Sequence, residues 1–106
     1  MRPMDFSHVF AGLPVSEYDA AVAWYEQLLG KPPDMLPTDG EAMWHLREGA
    51  SLYVVVDPER AGGGHAALAV DALGSLPGEP GPGGMPTAVL ADPDGNRLTV
   101  FEDPSA

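Results

Sequence analysis

The sequence predicts one α+β domain, built as a strand, a helix and three strands, followed by three further strands. Three observations carry that prediction. A single apolar stripe of helical period, with start and stop signals at its ends, runs from Ser16 to Gly30. Much of the remainder alternates apolar and polar residues in short runs punctuated by Gly, Pro and Asp, the pattern of half-buried strands. A chain of 106 residues, 44% of them hydrophobic, is one domain's worth and can bury roughly two thirds of its unfolded surface around a single core.

The first strand is "SHVFAGL", with Val9, Ala11 and Leu13 on one face and His8, Phe10 and Gly12 on the other. Ser16 then offers an N-cap, with Asp19 three residues on and Glu17 in the first turn, where a carboxylate suits the helix dipole. Tyr18, Ala21, Val22, Tyr25, Leu28 and Leu29 recur at helical spacing as one stripe. The stripe assigns Tyr18 and Tyr25 to packing and leaves Trp24 at an edge. Gly30 suits a left-handed C-terminal position, and Pro32 and Pro33 forbid continuation.

"MLPTDG" reads as a weak strand ending in a turn, and "EAMWHLREG" with "ASLYVVVDP" as a hairpin joined at Gly49. In the hairpin's first arm Trp44 and Leu46 lie opposite Met43, His45 and Arg47, and the pattern does not say which set faces the core. A fresh strand runs from His65 to Val70. Between Gly74 and Gly84 eight of eleven residues are Gly or Pro, so no helix persists there and a loose, mobile connection is expected. Asp71 caps at most one short turn over residues 72–76. "MPTAVLADPDGNRLTVFEDP" gives two closing strands around a turn in which Gly95 supplies the positive φ. In the last strand Arg97, Thr99 and Phe101 share one face, and Leu98, Val100 and Glu102 the other. Glu102 therefore reads as the solvated end of a strand.

Sixteen acidic residues against five basic ones give a net charge of −11, a field that repels phosphate backbones and argues against nucleic acid. The same excess keeps the chain soluble and would attract a cationic small molecule. No apolar run approaches the ~20 residues that span a bilayer, and "MRPMDFSHVF" has no apolar signal core, so a cytoplasmic address without a membrane partner is expected. The absence of cysteine removes disulfides, thiolate nucleophiles and cysteine zinc sites. Three histidines remain as donors: His8, His65 and His45, the last expected to be an exposed strand residue.

The order of elements resembles the vicinal oxygen chelate superfamily, which includes glyoxalase I, extradiol dioxygenases and bleomycin-resistance proteins. The resemblance rests on "FAGLPVSEYDAAVAWYEQLLGK", "GGHAALAVD" and "DPDGN". Its most specific pieces are "WYEQLLG", similar to the family's F-Y-x-x-x-L-G, and the "ADPDGN" turn before the final strand. It implies paired βαβββ modules in a single domain spanning 1–106, the first over about residues 5–59 and the second over about 63–103, with the second helix truncated to the Gly/Pro-rich loop 74–84. It also implies four metal-ligand positions in metal-dependent members, which fall here on Phe10, Tyr53, His65 and Thr99. One of the four carries a usual ligand.

No metal, no cofactor and no catalytic residue is therefore expected. The expected ligand-binding set is His8, Phe10, Trp44, Tyr53, His65, Thr99 and Phe101. The leading reading is a metal-independent small-molecule binding protein of the bleomycin-resistance type, sequestering a planar or cationic antibiotic-like ligand and working as a homodimer. Two alternatives stay open: a metal-dependent lyase, isomerase or dioxygenase using His8 and His65, and a structural partner whose cleft has become an interface.

Overall fold

The computed structural model of the chain describes residues 2–74, 76 and 78–103. Its elements are β1 (Val9–Val15), α1 (Tyr18–Leu29), β2 (Glu41–Arg47), β3 (Ala50–Val56), β4 (His65–Val70), β5 (Glu79–Pro80), a 3-10 turn (Pro82–Gly84), β6 (Pro86–Ala91) and β7 (Arg97–Glu102). They form two sheets, ordered β1-β3-β2 and β4-β7-β6-β5. In each sheet the first strand runs parallel to the last, and the remaining pairs are antiparallel. A parallel neighbour requires a crossover. In the first module α1 and β2 supply it; in the second, β5 and β6 do so with no intervening α-helix among the described residues. These are the paired modules the family resemblance implies, the second without an α-helix among the described residues.

Alternation along the strands decides which face is buried. Leu13 and Val15 of β1, Leu52 and Val54 of β3, and Ala42 and Trp44 of β2 are fully buried under Ala21 and Tyr25 of α1. Leu98 of β7 belongs to the same cluster, and Ala66, Leu68 and Leu90 pack against it, so the two sheets share one core on their helix side. A smaller cluster of Leu73, Ala88 and Val100 completes the second module. At the seam, a side chain on Gly64 would come within 2.8 Å of Leu13 and 2.9 Å of Asn96 Oδ1, so only glycine lets the start of β4 approach β1 this closely.

A buried polar hub locks that seam. Asp92 is 5% exposed and Asn96 fully buried. The Tyr25 hydroxyl donates to Asp92 Oδ2 at 2.8 Å, and Asn96 Nδ2 donates to the same oxygen at 2.8 Å. Asn96 Nδ2 also donates to the Pro14 carbonyl at 2.7 Å, while Asn96 Oδ1 accepts from the Gly64 N–H at 2.7 Å. Asp92 Oδ1 takes the N–H groups of Asp94 and Asn96, each at 2.9 Å. Burial, and then the hydrogen bond to Asp92, pushes the Tyr25 hydroxyl far above its ordinary range.

Gly30 ends α1 with φ 78°, and Gly49 and Gly95 turn with φ 81° and 93°, as expected from the sequence. Three expectations are corrected, and the second-module loop gains local detail. Ser16 is not the helix cap: Glu17 holds that position without a side-chain bond, because the Ser16 N–H and hydroxyl are both taken by the Asp94 carboxylate. The weak strand at "MLPTDG" reduces to one bridge, Met35 with Met43, since Pro37 has no N–H with which to extend a ladder. The Gly/Pro-rich stretch contains β5, paired with β6, and a 3-10 turn; Ser75 and Pro77 of that stretch lie outside the described residues. Glu102 does turn away from Thr99, yet it is half-buried rather than solvated, and its Oε2 accepts the Leu73 N–H at 3.2 Å where Asp71 was expected to cap. No helix among the described residues is long and apolar enough to cross a membrane.

Candidate ligand-binding faces

Each sheet keeps its second face open. On the first sheet the register sets Phe10 and His45 on either side of Ser51, and Gly12 and Met43 on either side of Tyr53. Tyr53 lies across Gly12; a Cβ at residue 12 would run into its ring, so the missing side chain is what lets the phenol rest on the β1 backbone. His8 stacks on Phe10 with ring centres 4.2 Å apart and 24° between planes, and its Nε2 lies 2.8 Å from Ser51 Oγ. Phe10 remains 54% exposed.

On the second sheet the open face carries His65, Thr99 and Phe101, with Val89 beside Thr99 on β6. His65 Nε2 lies 3.0 Å from Thr99 Oγ1. Val89 is 63% exposed, a branched apolar side chain left to solvent in the middle of a sheet.

The expected ligand residues thus fall into two sets, His8, Phe10 and Tyr53 on one sheet and His65, Thr99 and Phe101 on the other. Trp44 is a correction. It is fully buried on the helix side, 5.9 Å from the Tyr25 ring, and its Nε1–H donates to the Lys31 carbonyl at 3.0 Å. The indole bridges sheet and helix end, where its area is best used. Its opposite-parity neighbours Met43 and His45 take the open face instead. Sequence reading set His45 aside, although its Nδ1 lies 3.4 Å from Ser51 Oγ and its ring 5.9 Å from that of His8. The signal available was the shared parity of His45 and Met43; the register placing them beside Ser51 and Tyr53 was not.

The four positions at which family resemblance places metal ligands do not fit a metal. Phe10 has no donor, the Tyr53 ring lies over Gly12, and Thr99 offers only a hydroxyl, so His65 stands there without a second imidazole or carboxylate. Among the described residues no group of three or more His, Cys, Asp or Glu is placed to hold an ion. At least two grooves of ligand size open among the described residues of the single chain. One, of about 550 Å³, lies between α1 and the second sheet and is lined by Trp24, Leu28, Leu73 and Leu90. The other, of about 600 Å³, lies where the sheets diverge, between Leu46 and Ala50 on one side and Ala67 to Val70 on the other. Neither is lined by an expected ligand residue.

No family model and no curated protein sequence matches the chain. Solved structures do. A glyoxalase/bleomycin resistance protein from Catenulispora acidiphila DSM 44928 superposes with a TM-score of 0.84 at 34% identity, covering 92% of this chain and 99% of its own. An antibiotic-binding protein from Streptomyces sp. CB03234 superposes with a TM-score of 0.73 at 22% identity, covering 94% of this chain and 98% of its own. A lactoylglutathione lyase from Agrobacterium tumefaciens does so with a TM-score of 0.70 at 17% identity, covering 93% of this chain and 95% of its own. The last two show the shared fold alone, and they span both a binder and an enzyme. With the first of these likenesses running along nearly the whole of both chains, this protein belongs to the glyoxalase/bleomycin resistance protein family, within the vicinal oxygen chelate superfamily.

Proposed function

We propose that the chain is a metal-independent small-molecule binding protein, which sequesters a planar or cationic antibiotic-like ligand and converts nothing. The observation that carries this reading is the chemistry at the four family positions, where two aromatic rings and a hydrogen-bonded His–Thr pair stand in place of converging donors. Flat side chains suit flat ligands, and a net charge of −11 suits a cation. The fold match to an antibiotic-binding protein is consistent with it.

A second copy of the chain completes the site in this reading. The expected residues lie on two open faces and line neither groove of the single chain, and Phe10 and Val89 leave apolar surface uncovered. Two copies bringing unlike faces together would enclose a ligand between Phe10 with Tyr53 and His65 with Phe101.

The test is calorimetric titration with planar cations and matched neutral analogues, at low and high salt, with and without a chelator. Binding of the cations should weaken as salt screens the long-range attraction over about 8 Å at physiological ionic strength, and the chelator should change nothing. Phe10→Ala or Tyr53→Ala should each cost about 1–3 kcal/mol of affinity. Light scattering should show a dimer at micromolar concentration. Binding lost to the chelator would transfer the reading to the metal-dependent alternative, and equal affinity for neutral analogues would reduce the charge to a solubility feature.

A further inference from the structure

On the open face of the first sheet two imidazoles converge on one point. His8 Nε2 lies 2.8 Å from Ser51 Oγ and His45 Nδ1 lies 3.4 Å from the same atom. Ser51 has one hydroxyl proton to give, and it is 5% exposed. Its contact with His45 is at the outer edge of hydrogen bonding, so the hydroxyl holds His8 closely and His45 loosely. The two ring centres are 5.9 Å apart. Two imidazoles that share one ion at a metal–nitrogen distance of ~2.0–2.1 Å hold their ring centres roughly 5–6 Å apart. The spacing is that of a pair of ligands around a common centre.

The positions are also held in advance. Ser51 is in the central strand, flanked in register by Phe10 and His45. His8 is steadied by its stack on Phe10. The backbone of His45 is clamped on both polar groups: its N–H donates to Asp34 Oδ2 at 2.7 Å, and its carbonyl accepts from Lys31 Nζ at 2.7 Å. Lys31 and Asp34 are themselves paired at 2.8 Å. The register of β2 against β3 shifts between His45 and Arg47, an irregularity of the kind that re-aims side chains beside sites.

We propose that His8 and His45 form a clasp for a single divalent transition-metal ion of borderline softness, Cu²⁺ most strongly and Ni²⁺ or Zn²⁺ less so. Imidazole suits these ions, affinity follows the order in which Cu²⁺ leads, and the acidic surface attracts a cation. Two nitrogen donors leave the remaining positions to water, so the ion exchanges freely and Mg²⁺ and Ca²⁺, which need oxygen cages, are not retained. The clasp is distinct from the four family positions, and the ligand-binding reading does not depend on it.

The test uses the full chain without a histidine tag, stripped with a chelator and titrated with Cu²⁺, Ni²⁺, Zn²⁺ and Mg²⁺ by calorimetry. One equivalent of Cu²⁺ should bind, more tightly than Ni²⁺ or Zn²⁺, with no heat from Mg²⁺, and the electron paramagnetic resonance spectrum should show two coupled imidazole nitrogens. His8→Gln and His45→Gln should each weaken Cu²⁺ binding by at least about tenfold, the lower end of what losing even an outer-shell partner costs. His65→Gln, altered on the other sheet, should keep it, as should Ser51→Ala, which removes the hydroxyl and leaves both nitrogens. Absence of a one-to-one event, a single coupled nitrogen in the unaltered protein, or loss of binding in His65→Gln overturns the proposal. The nitrogen count on the unaltered protein decides the matter even where a variant fails to fold.

Discussion

The two modules wind their strands identically and cover them differently. The first lays a 12-residue helix over its sheet and buries Leu13, Val15, Leu52, Val54, Ala42 and Trp44 completely. Among the described residues the second has no α-helix of its own; Leu73, 8% exposed, covers Ala88 and Val100, and an open groove lies beside it. The sheet winding therefore does not depend on the crossover helix. What the second sheet needs is cover for its apolar face, and it shares α1: Leu68 and Leu90 pack against the first module's core, and Trp24 and Leu28 wall the groove. One helix serves two sheets, provided that something fixes the sheets together. The Asp92 hub is that fixing.

The most damaging way to break the arrangement is Asp92→Ala. It strips the partners from the Tyr25 hydroxyl, the Asn96 amide and two backbone N–H groups, at about 1–3 kcal/mol for each group left buried and unpaired. A loss on the order of 3 kcal/mol or more is expected in urea unfolding. A loss near zero would mean that the modules hold together without the hub.

The contrast in cover is sharpened by one substitution in each module. Leu13→Ala should cost about 2–5 kcal/mol, the range for truncating a well-packed core leucine. Leu73→Ala should cost less, about 1–2 kcal/mol, because its loop lies next to open space and can collapse onto the gap. Equal losses by chemical denaturation would show the second cluster to be as tightly packed as the first.

Tyr25→Phe tests the helix's contact with the hub alone. It should cost about 1 kcal/mol at neutral pH, and it carries a signature in alkali. The folded protein keeps the Tyr25 proton to higher pH than the unfolded chain, whose phenol titrates near the ordinary value of 10.0. The stabilisation is thus complete below pH 10 and declines as pH rises above it, by up to about 1.4 kcal/mol per pH unit. Unfolding midpoints followed from pH 9 upward should fall less steeply in Tyr25→Phe than in the parent; parallel slopes would break the assignment.

The smallest effect is expected at Asp34. The Lys31 ammonium, and after it the His45 N–H, hold this exposed carboxyl below its ordinary 3.8. The contribution is present above that value and is lost as pH falls through the lower, folded one. In Asp34→Asn the acid limb of the stability curve should flatten slightly, and the His45 amide resonance should stop titrating in acid. An unchanged amide titration would show that the clamp on His45 is absent in solution.

What was legible in the sequence was what is local. The helix stripe from Tyr18 to Leu29, its stop at Gly30, the hairpin at Gly49 and the strand from His65 to Val70 are each set by neighbours a few residues apart, and each stands where expected. Parity in the last strand separated Thr99 and Phe101 from Glu102, because "RLTVFE" has only one consistent apolar set on its buried side. "EAMWHLRE" has apolar residues on both faces, so its pattern does not decide the side of Trp44, which the structure buries in the core. The remaining misses are side-chain partnerships across the fold. Nothing near Ser16 in the sequence announces Asp94, and nothing near Asp92 in "ADPDGN" announces Tyr25. A turn motif and a core tyrosine, each read correctly by itself, did not disclose that they meet.

The hub also sets the order in which the chain can assemble. Its bonds join residues separated by 67 positions at Tyr25, 82 at Pro14 and 32 at Gly64. Contacts that distant in the chain close large loops and form slowly. A growing chain that has released the first module but not yet residues 92–96 has a formed helix with no anchor for its tyrosine, and a first sheet whose neighbour does not exist. Folding to completion must wait for residues 92–96, and the native state should then appear, and disappear, as one cooperative unit rather than module by module.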